Sequence, residues 1–356
     1  VIFLVVAASS LNRGLEQCLS RTGELDNVIL LGAGSEESVQ RSEIARVVPD
    51  IAASSIAVIK NVLGRPAVSA EVYYMGTAGI PGGELRPALL RGVTCDALNV
   101  HRKIVVRSGH FPNPGEVMVG IQTARYMGLA PEDLAIGKKI FFEGFNYEIV
   151  GVFDGQGTMM DAEIWMDLNE LLSATKRETL SCATLSLENS KDYDAVSLFC
   201  ARRLDLEIVP IRESVYYASL SALYAPIKLM LWIGALLVAG AAIFGGMNTL
   251  YAAIIARRRE LAVLQAIGCT RISLVFSIFV ESFAVSLAGA LLALSLSGCF
   301  LPRIQIAFST GIFNPVFDNS TVILGLGTAL LLAIIGILIP GWGCLKPDII
   351  SSMRST

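Results

Sequence analysis

Four arginines and a glutamate in one short stretch carry the clearest chemical signal in the chain. Arg257, Arg258, Arg259, Glu260 and Arg271 fall within residues 256–271, ARRRELAVLQAIGCTR. A basic cluster in a short loop marks the cytoplasmic side of a membrane and suits anionic headgroups. Leu261, Leu264 and Ile267 or Gly268 follow at helical spacing. The segment therefore predicts a short amphipathic helix that lays its apolar side in a partner's groove. The alternative is a loop whose arginines only anchor it at anionic headgroups. Glu281 lies about two turns inside the apolar run 272–297, where a carboxylate is costly. It reads either as a proton or substrate relay or as a partner of the neighbouring arginines.

Other chemistries are excluded by spacing. LLGAGSEES (30–38) has Gly32 and Gly34, but Glu37 stands where a dinucleotide-binding loop needs a third glycine. It reads as a strand end turning into a helix. GLAPEDLAIGKK (128–139) has a Gly-Lys pair at the wrong spacing for a phosphate loop, and Lys139 stands in place of the magnesium-binding Ser or Thr. The chain is thus expected neither to bind nor to hydrolyse ATP. No G-x-S-x-G elbow is present, and the two histidines, His101 and His110, form no H-E-x-x-H. No catalytic residue, cofactor or metal is expected. The seven cysteines form no C-x-x-C. They read as small buried hydrophobes, with Cys182 and Cys200 the one pair worth testing for a disulfide.

The elements that hold these residues follow from hydropathy. The chain has 356 residues, of which 53% are hydrophobic, and a mean hydropathy of +0.60, too apolar for a soluble protein of this size. Residues 10–224 carry a net charge of −7 and the remainder +4. A mildly acidic soluble domain is therefore joined to a membrane part flanked by basic residues. The runs 225–247, 272–297 and 321–343 are each long enough to cross a bilayer. VIFLVVAA, within residues 1–9, is expected to be the end of a further spanning helix, the alternative being the apolar end of a cleaved signal peptide. A basic short loop marks the cytoplasmic side, which puts 256–271 inside. By parity, 10–224 and the connection 298–320 lie outside, and the tail 344–356, with Lys346 and Arg354, lies inside. Ala241 and Gly245, Ala242 and Gly246, and Ala284 and Ala288 are spaced for close helix packing.

The outer domain reads as mixed α and β without a regular βαβ period, hence α+β. Strand-like runs fall at 27–31, 55–60, 70–75, 103–106, 116–120, 138–142, 147–153 and 182–188. Helical patterns fall at 36–47, 121–128, 167–175, 192–204 and 212–224. In 192–204, Val196, Phe199, Cys200 and Leu204 share one face, and 212–224 runs almost directly into the first of the three long apolar runs.

The stretch GGMNTLYAAIIARRRELAVLQAIGCTRISLVFSIFVESFAVSLAG (245–289) resembles the signature region of FtsX/MacB-type ABC transporter permeases. Asn248 matches the family's Asn near the inner end of its second helix. Arg257 to Leu261, Ala266 to Gly268, Thr270 with Arg271, Glu281 and Gly289 match the positions that follow. The tail PGWGCLKPDIISSMR and the outer-domain runs LRPALLRGV, GEVMVGIQTARYMGL and YEIVGVF are similar to the family as well. Ala262 departs from it, standing where the family has Gly.

The resemblance implies an α-helical membrane domain of four transmembrane helices with a large α+β extracytoplasmic domain between the first two. That domain would have a core at about 20–84 and 180–224 and an inserted lobe at about 85–179. It implies a permease of the mechanotransmission type in the bacterial inner membrane, without its own ATPase site. Its partners would be a cytoplasmic ABC ATPase that binds the ATP, a second permease copy or paralogue and, in exporters, a membrane-fusion protein; no nucleic acid is implied. Residues 257–261, 264, 267 and 268 would contact the ATPase. The function implied is export or extraction of an amphiphilic or peptide substrate. The alternatives are a signalling permease that controls an extracytoplasmic enzyme such as a cell-wall hydrolase and, against the missing catalytic patterns, a membrane-anchored enzyme.

Overall fold

A computed structural model describes residues 1–304, 306–308 and 311–344. The chain forms two compact units. One comprises Leu15–Leu223 and Ile306–Phe313; the other comprises Val1–Gly14, Tyr224–Gln305 and the residues from Asn314 onward. The first helix, α1 (Ile2–Thr22), spans the boundary at Gly14. The apolar stretch 1–9 therefore lies in a helix that continues to Thr22.

The α+β unit continues with β1 (Asn27–Gly32), α2 (Val48–Ser55), the small hairpin β2 (Asn61–Val62) and β3 (Arg65–Pro66), β4 (Val68–Gly79), β5 (Arg86–Val93) and α3 (Ala97–Val100). Then come β6 (Val105–Gly109), β7 (Glu116–Gly120), α4 (Thr123–Tyr126), β8 (Lys139–Phe142), β9 (Phe145–Asp154), β10 (Glu163–Asp167) and α5 (Leu168–Thr175). β11 (Cys182–Ser186), α6 (Tyr193–Arg202), β12 (Ile208–Arg212) and α7 (Glu213–Leu223) follow. Ten strands form one sheet in the order β12-β1-β11-β4-β5-β10-β7-β9-β6, with β8 pairing both β4 and β9. Only β5 with β10 and β7 with β9 run parallel.

Side-chain alternation gives the sheet two unlike faces. Tyr74, Leu90, Ile164 and Val119 are successive cross-strand partners on one face. With Phe142, Ile149 and residues of α2, α5 and α6 they make the main apolar core. Tyr73, Arg91, Trp165 and Met118 are the partners on the other face, which carries charge. α5 is held at its start by Asp167, whose side chain accepts from the Asn169 and Glu170 N–H groups.

Several sequence expectations change here. Residues 36–47 form turns, not a helix: Ile44 pairs with Leu180 in an isolated bridge, which pulls the chain extended, and the helix begins at Val48 with Pro49 in its first turn. Gly32 therefore ends a strand that leads into turns, at Gly34 with φ +84°, and not into a helix. Residues 55–60 are not a strand; α2 runs through Ser55, and Ile59 makes a single bridge to Leu187. Leu204 lies past the end of α6 and is exposed. β5, β10 and β12 were not expected. β12 contains Pro210, which the middle of a sheet would reject but an edge strand accepts. The proposed core and inserted lobe meet in one continuous sheet, since β4 and β5 pair from Glu71↔Val93 to Ala78↔Arg86.

The other unit holds α8 (Ala225–Ala256), α9 (Arg258–Ala266), α10 (Arg271–Phe300) and α11 (Asn319–Cys344), with α11 packed against both α8 and α10. Among the described residues three helices are long and apolar enough to cross a membrane, over Ala225–Ala256, Ile272–Phe300 and Asn319–Gly336. Each helix runs beyond the apolar stretch that predicts it, α8 as far as Ala256. The connection 298–320 is not plain loop: β13 (Ile306–Phe308) and β14 (Gly311–Phe313) form a hairpin that belongs to the α+β unit, where Ile312 clusters with Leu89 and Ala162. The tail beyond Cys344 lies outside the described residues.

Gly109 shows how tightly the edge of the sheet is set. Its φ is +82°, and a Cβ there would strike the Val150 carbonyl oxygen. Gly109→Ala should therefore loosen β6 by about 1–2 kcal/mol or more. Amide exchange across Val105–Gly109 should quicken at least tenfold while β1 and β4 stay protected. Equal protection of β6 in both proteins would refute the strain.

Candidate functional site

The arginine-rich segment folds as a helix between two longer ones. Arg257 ends α8, its N–H donating to the Ala253 carbonyl at 3.1 Å, and its own carbonyl accepts from Leu261 N–H to open α9. Glu260 sits in the first turn, where a negative charge suits the helix dipole. α9 ends in a paired cap: Cys269 N–H donates to the Leu264 carbonyl at 3.0 Å and Gly268 N–H to the Gln265 carbonyl at 3.1 Å. The cap needs a left-handed residue, and Gly268 supplies φ +109°. The Thr270 side chain then accepts from Ser273 N–H and starts α10.

The apolar side chains of α9 divide unequally. Ala262 is its buried residue and Leu261 is half-buried. Leu264, Ile267 and Val263 are exposed, Ile267 by 76%. Sequence spacing named Leu264 and Ile267, placed Leu261 more openly than the structure does, and missed Val263. Arg259 and Glu260 are exposed beside them.

Arg257 and Glu281 are brought together across the turn. Arg257 Nη1 donates to both Glu281 carboxylate oxygens, at 3.1 and 3.2 Å, and both side chains are more than half exposed. Glu281 thus sits in an ion pair with a loop arginine, and Asn248, exposed on α8, is not part of it. In water such a pair contributes about 0–1 kcal/mol.

The α+β unit contains a second polar constellation that the sequence reading did not single out. Arg91 is buried at the centre of the sheet's charged face. Its Nε and Nη2 donate to Glu163 Oε2 and Oε1 at 2.7 and 2.6 Å, and its Nη1 donates to Glu71 at 3.1 Å. The Tyr73 ring lies under the guanidinium, 4.1 Å from its centroid. Trp165 Nε1 donates to Glu163 at 2.8 Å. His101 Nε2 meets Glu71 at 2.6 Å and its Nδ1 stands 3.7 Å from Glu213, the first residue of α7. Glu213 accepts from the Glu24 N–H and from Asn27 Nδ2, at 3.0 and 2.9 Å. The chain of contacts thus runs from β10 to α7.

Burial opposes ionisation at Glu71, His101 and Glu213, and pairing decides the outcome. Glu71 is buried, yet His101 and Arg91 hold its carboxyl down to about 2. Burial works against a charged His101, but Glu71 and then Glu213 push its pKa up overall. Glu213 is raised by burial, which His101 offsets only in part. A charged imidazolium between two carboxylates fits this arrangement. The sequence signal was available: Glu71, Arg91 and Glu163 each interrupt a short apolar run.

Among the described residues no group of three or more His, Cys, Asp and Glu is placed to hold a metal ion. Cys182 and Cys200 are both buried free thiols.

The family described as MacB-like periplasmic core domain matches residues 1–197, and the FtsX-like permease C-terminal family matches residues 232–349. Among solved structures, the periplasmic region of MacB from Actinobacillus actinomycetemcomitans is similar at 10% identity, over 56% of this chain and 94% of that one, with a TM-score of 0.42. The extracellular domain of the noncanonic ABC-type transporter YknZ from Gram-positive bacteria is similar at 15% identity, over 52% of this chain and 99% of that one, with a TM-score of 0.40. No curated protein matches.

The charged face makes two predictions about stability. Arg91→Met would leave Glu71 and Glu163 buried without their cation and should cost about 3–5 kcal/mol, read as loss of cooperative unfolding under mild denaturant. The pH response has two sides. Glu71 has a lowered pKa, so its contribution is fully present above the ordinary carboxyl value and lost as pH falls through about 2. His101 has a raised pKa, so its contribution is fully present below 6.5 and lost as pH rises through the raised value. The melting temperature should therefore fall on the alkaline side, and His101→Gln should shrink that fall. An alkaline limb of the same depth in the variant would show that His101 is uncharged in the fold.

Proposed function

The chain belongs to the FtsX/MacB-type permease family, and from this we propose that it is the permease subunit of an ABC transporter whose α9 docks on a separate cytoplasmic ATPase. Permeases of this kind are membrane transporter components that work with ABC ATPases. In this reading the ATPase binds and hydrolyses the ATP, and its motion passes through α8 and α10 to the extracytoplasmic unit, which extracts or exports an amphiphilic or peptide substrate. The observation that carries the reading is the open apolar side of α9. Val263 and Leu264 on α9 and Ile267 at its C-cap are exposed, on a short helix that begins within the three consecutive arginines 257–259 and lies between two membrane-length helices in the sequence. An open apolar side beside arginines suits the groove of a protein partner and also the headgroup region, and recovery of the ATPase separates the two.

The same reading places α9 and the tail in the cytoplasm, the α+β unit outside, and the protein in the bacterial inner membrane. Ala241, Ala242, Gly245 and Gly246 leave an exposed small-residue face on α8 that suits a second permease copy.

Two experiments test these points. Leu264→Asp with Ile267→Asp would put carboxylates into the contact, where an unpaired charge is costly. Pull-down of an ABC ATPase that the unaltered chain recovers from its native membrane should drop at least tenfold while membrane insertion persists. Wild-type recovery would leave α9 as an orientation signal only. For topology, the exposed native thiols suffice: Cys95 should react with an impermeant maleimide in intact spheroplasts, and Cys269 only after the membrane is opened. Labelling of Cys269 in sealed cells would invert the arrangement.

A further inference from the structure

Three consecutive residues hold two of the segments by which the chain enters and leaves the α+β unit. His101, Arg102 and Lys103 follow α3 directly. Lys103 Nζ donates to the Arg21 and Gly23 carbonyls, at 2.5 and 3.3 Å, and so caps the end of α1. Arg102 Nε donates to Glu24 at 2.9 Å, just beyond that end. His101 faces Glu213, which opens α7. The end of α1 and the start of α7 also touch: a Cβ on Gly23 would lie 2.6 Å from Ser214 Cα. Guanidinium and ammonium groups keep their charge across the ordinary pH range, whereas an imidazole does not. We propose that His101 is a pH-operated latch, which releases the first turn of α7 on the alkaline side while the end of α1 stays held.

The geometry decides which contact gives way. His101 Nε2 stands 2.6 Å from Glu71 Oε1, a full hydrogen bond, whereas Nδ1 is 3.7 Å from Glu213 Oε1. The proton on the Glu213 side is therefore the more weakly held. The neutral ring keeps its Nε2–H on Glu71 and turns a lone pair toward Glu213. Glu213 Oε2 accepts from the Glu24 N–H and from Asn27 Nδ2, neutral donors that do not cancel a charge. The charged groups around the ring are Glu71 of β4, Glu213 of α7 and Arg91 of β5, with Glu163 of β10 bound to Arg91. Trp165 of β10 adds only a ring edge, its centroid 6.0 Å away. The Cys182 thiol and the Tyr73 and Tyr217 phenols belong to the same cluster, and burial pushes each of them up, so they stay neutral when the imidazolium titrates. With His101 charged, three carboxylates meet two cations; with it neutral, they meet one. A buried carboxylate without its cation is costly. Glu71 and Glu163 keep Arg91, so Glu213 is the one left to seek water, and it sits at a helix end that can lift.

Release would change two features of the unit. α7 walls a cleft of about 740 Å³ through Tyr216 and Tyr217, facing loop 34–41 and the sheet at Tyr73, Leu89 and Glu163. Lifting the first turn of α7 would shift that wall. It would also uncover Cys182, a fully buried thiol opposite Glu71 in the ladder and therefore on the charged face.

Cys182 supplies the test. The full chain in phosphatidylcholine nanodiscs is treated with methyl methanethiosulfonate, and modification is read at each cysteine by mass spectrometry. Cys200, buried in α6 against the apolar core, is the internal reference, since both thiols gain intrinsic reactivity as pH rises. Glu71 and Glu213 push the His101 pKa up, so the step should fall above the ordinary imidazole value. Between about pH 6 and about pH 10 the ratio of Cys182 to Cys200 modification should rise at least tenfold with one midpoint. Glu213→Gln keeps an acceptor for the Glu24 N–H and removes one carboxylate, and should lower the midpoint by about one unit. His101→Gln should abolish the step. A flat ratio in the unaltered chain, an unchanged midpoint in Glu213→Gln, a step that survives His101→Gln, or loss of protection at Cys182 and Cys200 together would each overturn the latch. The latch does not depend on the permease reading, and a failed ATPase pull-down would leave it standing.

Discussion

A guanidinium buried in the middle of a sheet constrains much of the α+β unit. Arg91 cannot lose its proton, so the fold must surround it with carboxylates. Glu163 comes from a parallel neighbour and Glu71 from an antiparallel one, which locks β4, β5 and β10 in one register. A slip of one residue in any of these strands would turn its charge into the apolar core on the opposite face. Burying such a triad gains little over well-packed hydrocarbon, so its effect is better described as choosing one arrangement than as adding stability. The network extends through His101 to the first residue of α7, so the helix that walls the cleft is registered against the same sheet.

That dependence explains what could be read from the sequence. The long apolar helices and the basic turn between α8 and α10 were legible because hydropathy and charge act locally. β1, β7, β8, β9 and β11 were legible for the same reason: their alternation or continuous apolar character lies within a few residues. β5 and β10 were not, because their short runs are interrupted by Arg91 and Glu163, whose partners come from other strands. β12 was hidden by Pro210, which is acceptable only to a strand known to be at an edge. The helical pattern at 36–47 lost to the Ile44–Leu180 bridge, a contact between residues far apart in sequence.

The candidate sites divide along the same line. The residues of α9 could be named because they are neighbours in the chain. Spacing nevertheless could not tell that Ala262 turns inward and Val263 outward, which depends on how α9 is set by Arg257 at one end and Gly268 at the other. Glu281 can be read as a relay or as a partner of the neighbouring arginines, and the structure shows it paired with Arg257 at 3.1 Å. The cleft has no sequence signature at all, because its walls are a loop, three strands and a helix that meet only in the folded unit.

The hairpin of β13 and β14 has a practical meaning for dissection of this protein. The α+β unit is not one interval of sequence: Ile312, almost a hundred residues past the end of α7, completes a small cluster with Leu89 and Ala162. A soluble fragment cut from residues 15–223 would therefore carry an open apolar scar beside the wall that Leu89 gives to the cleft. Such a fragment invites self-association through that scar, and a graft of residues 306–313 through a short linker is the natural repair.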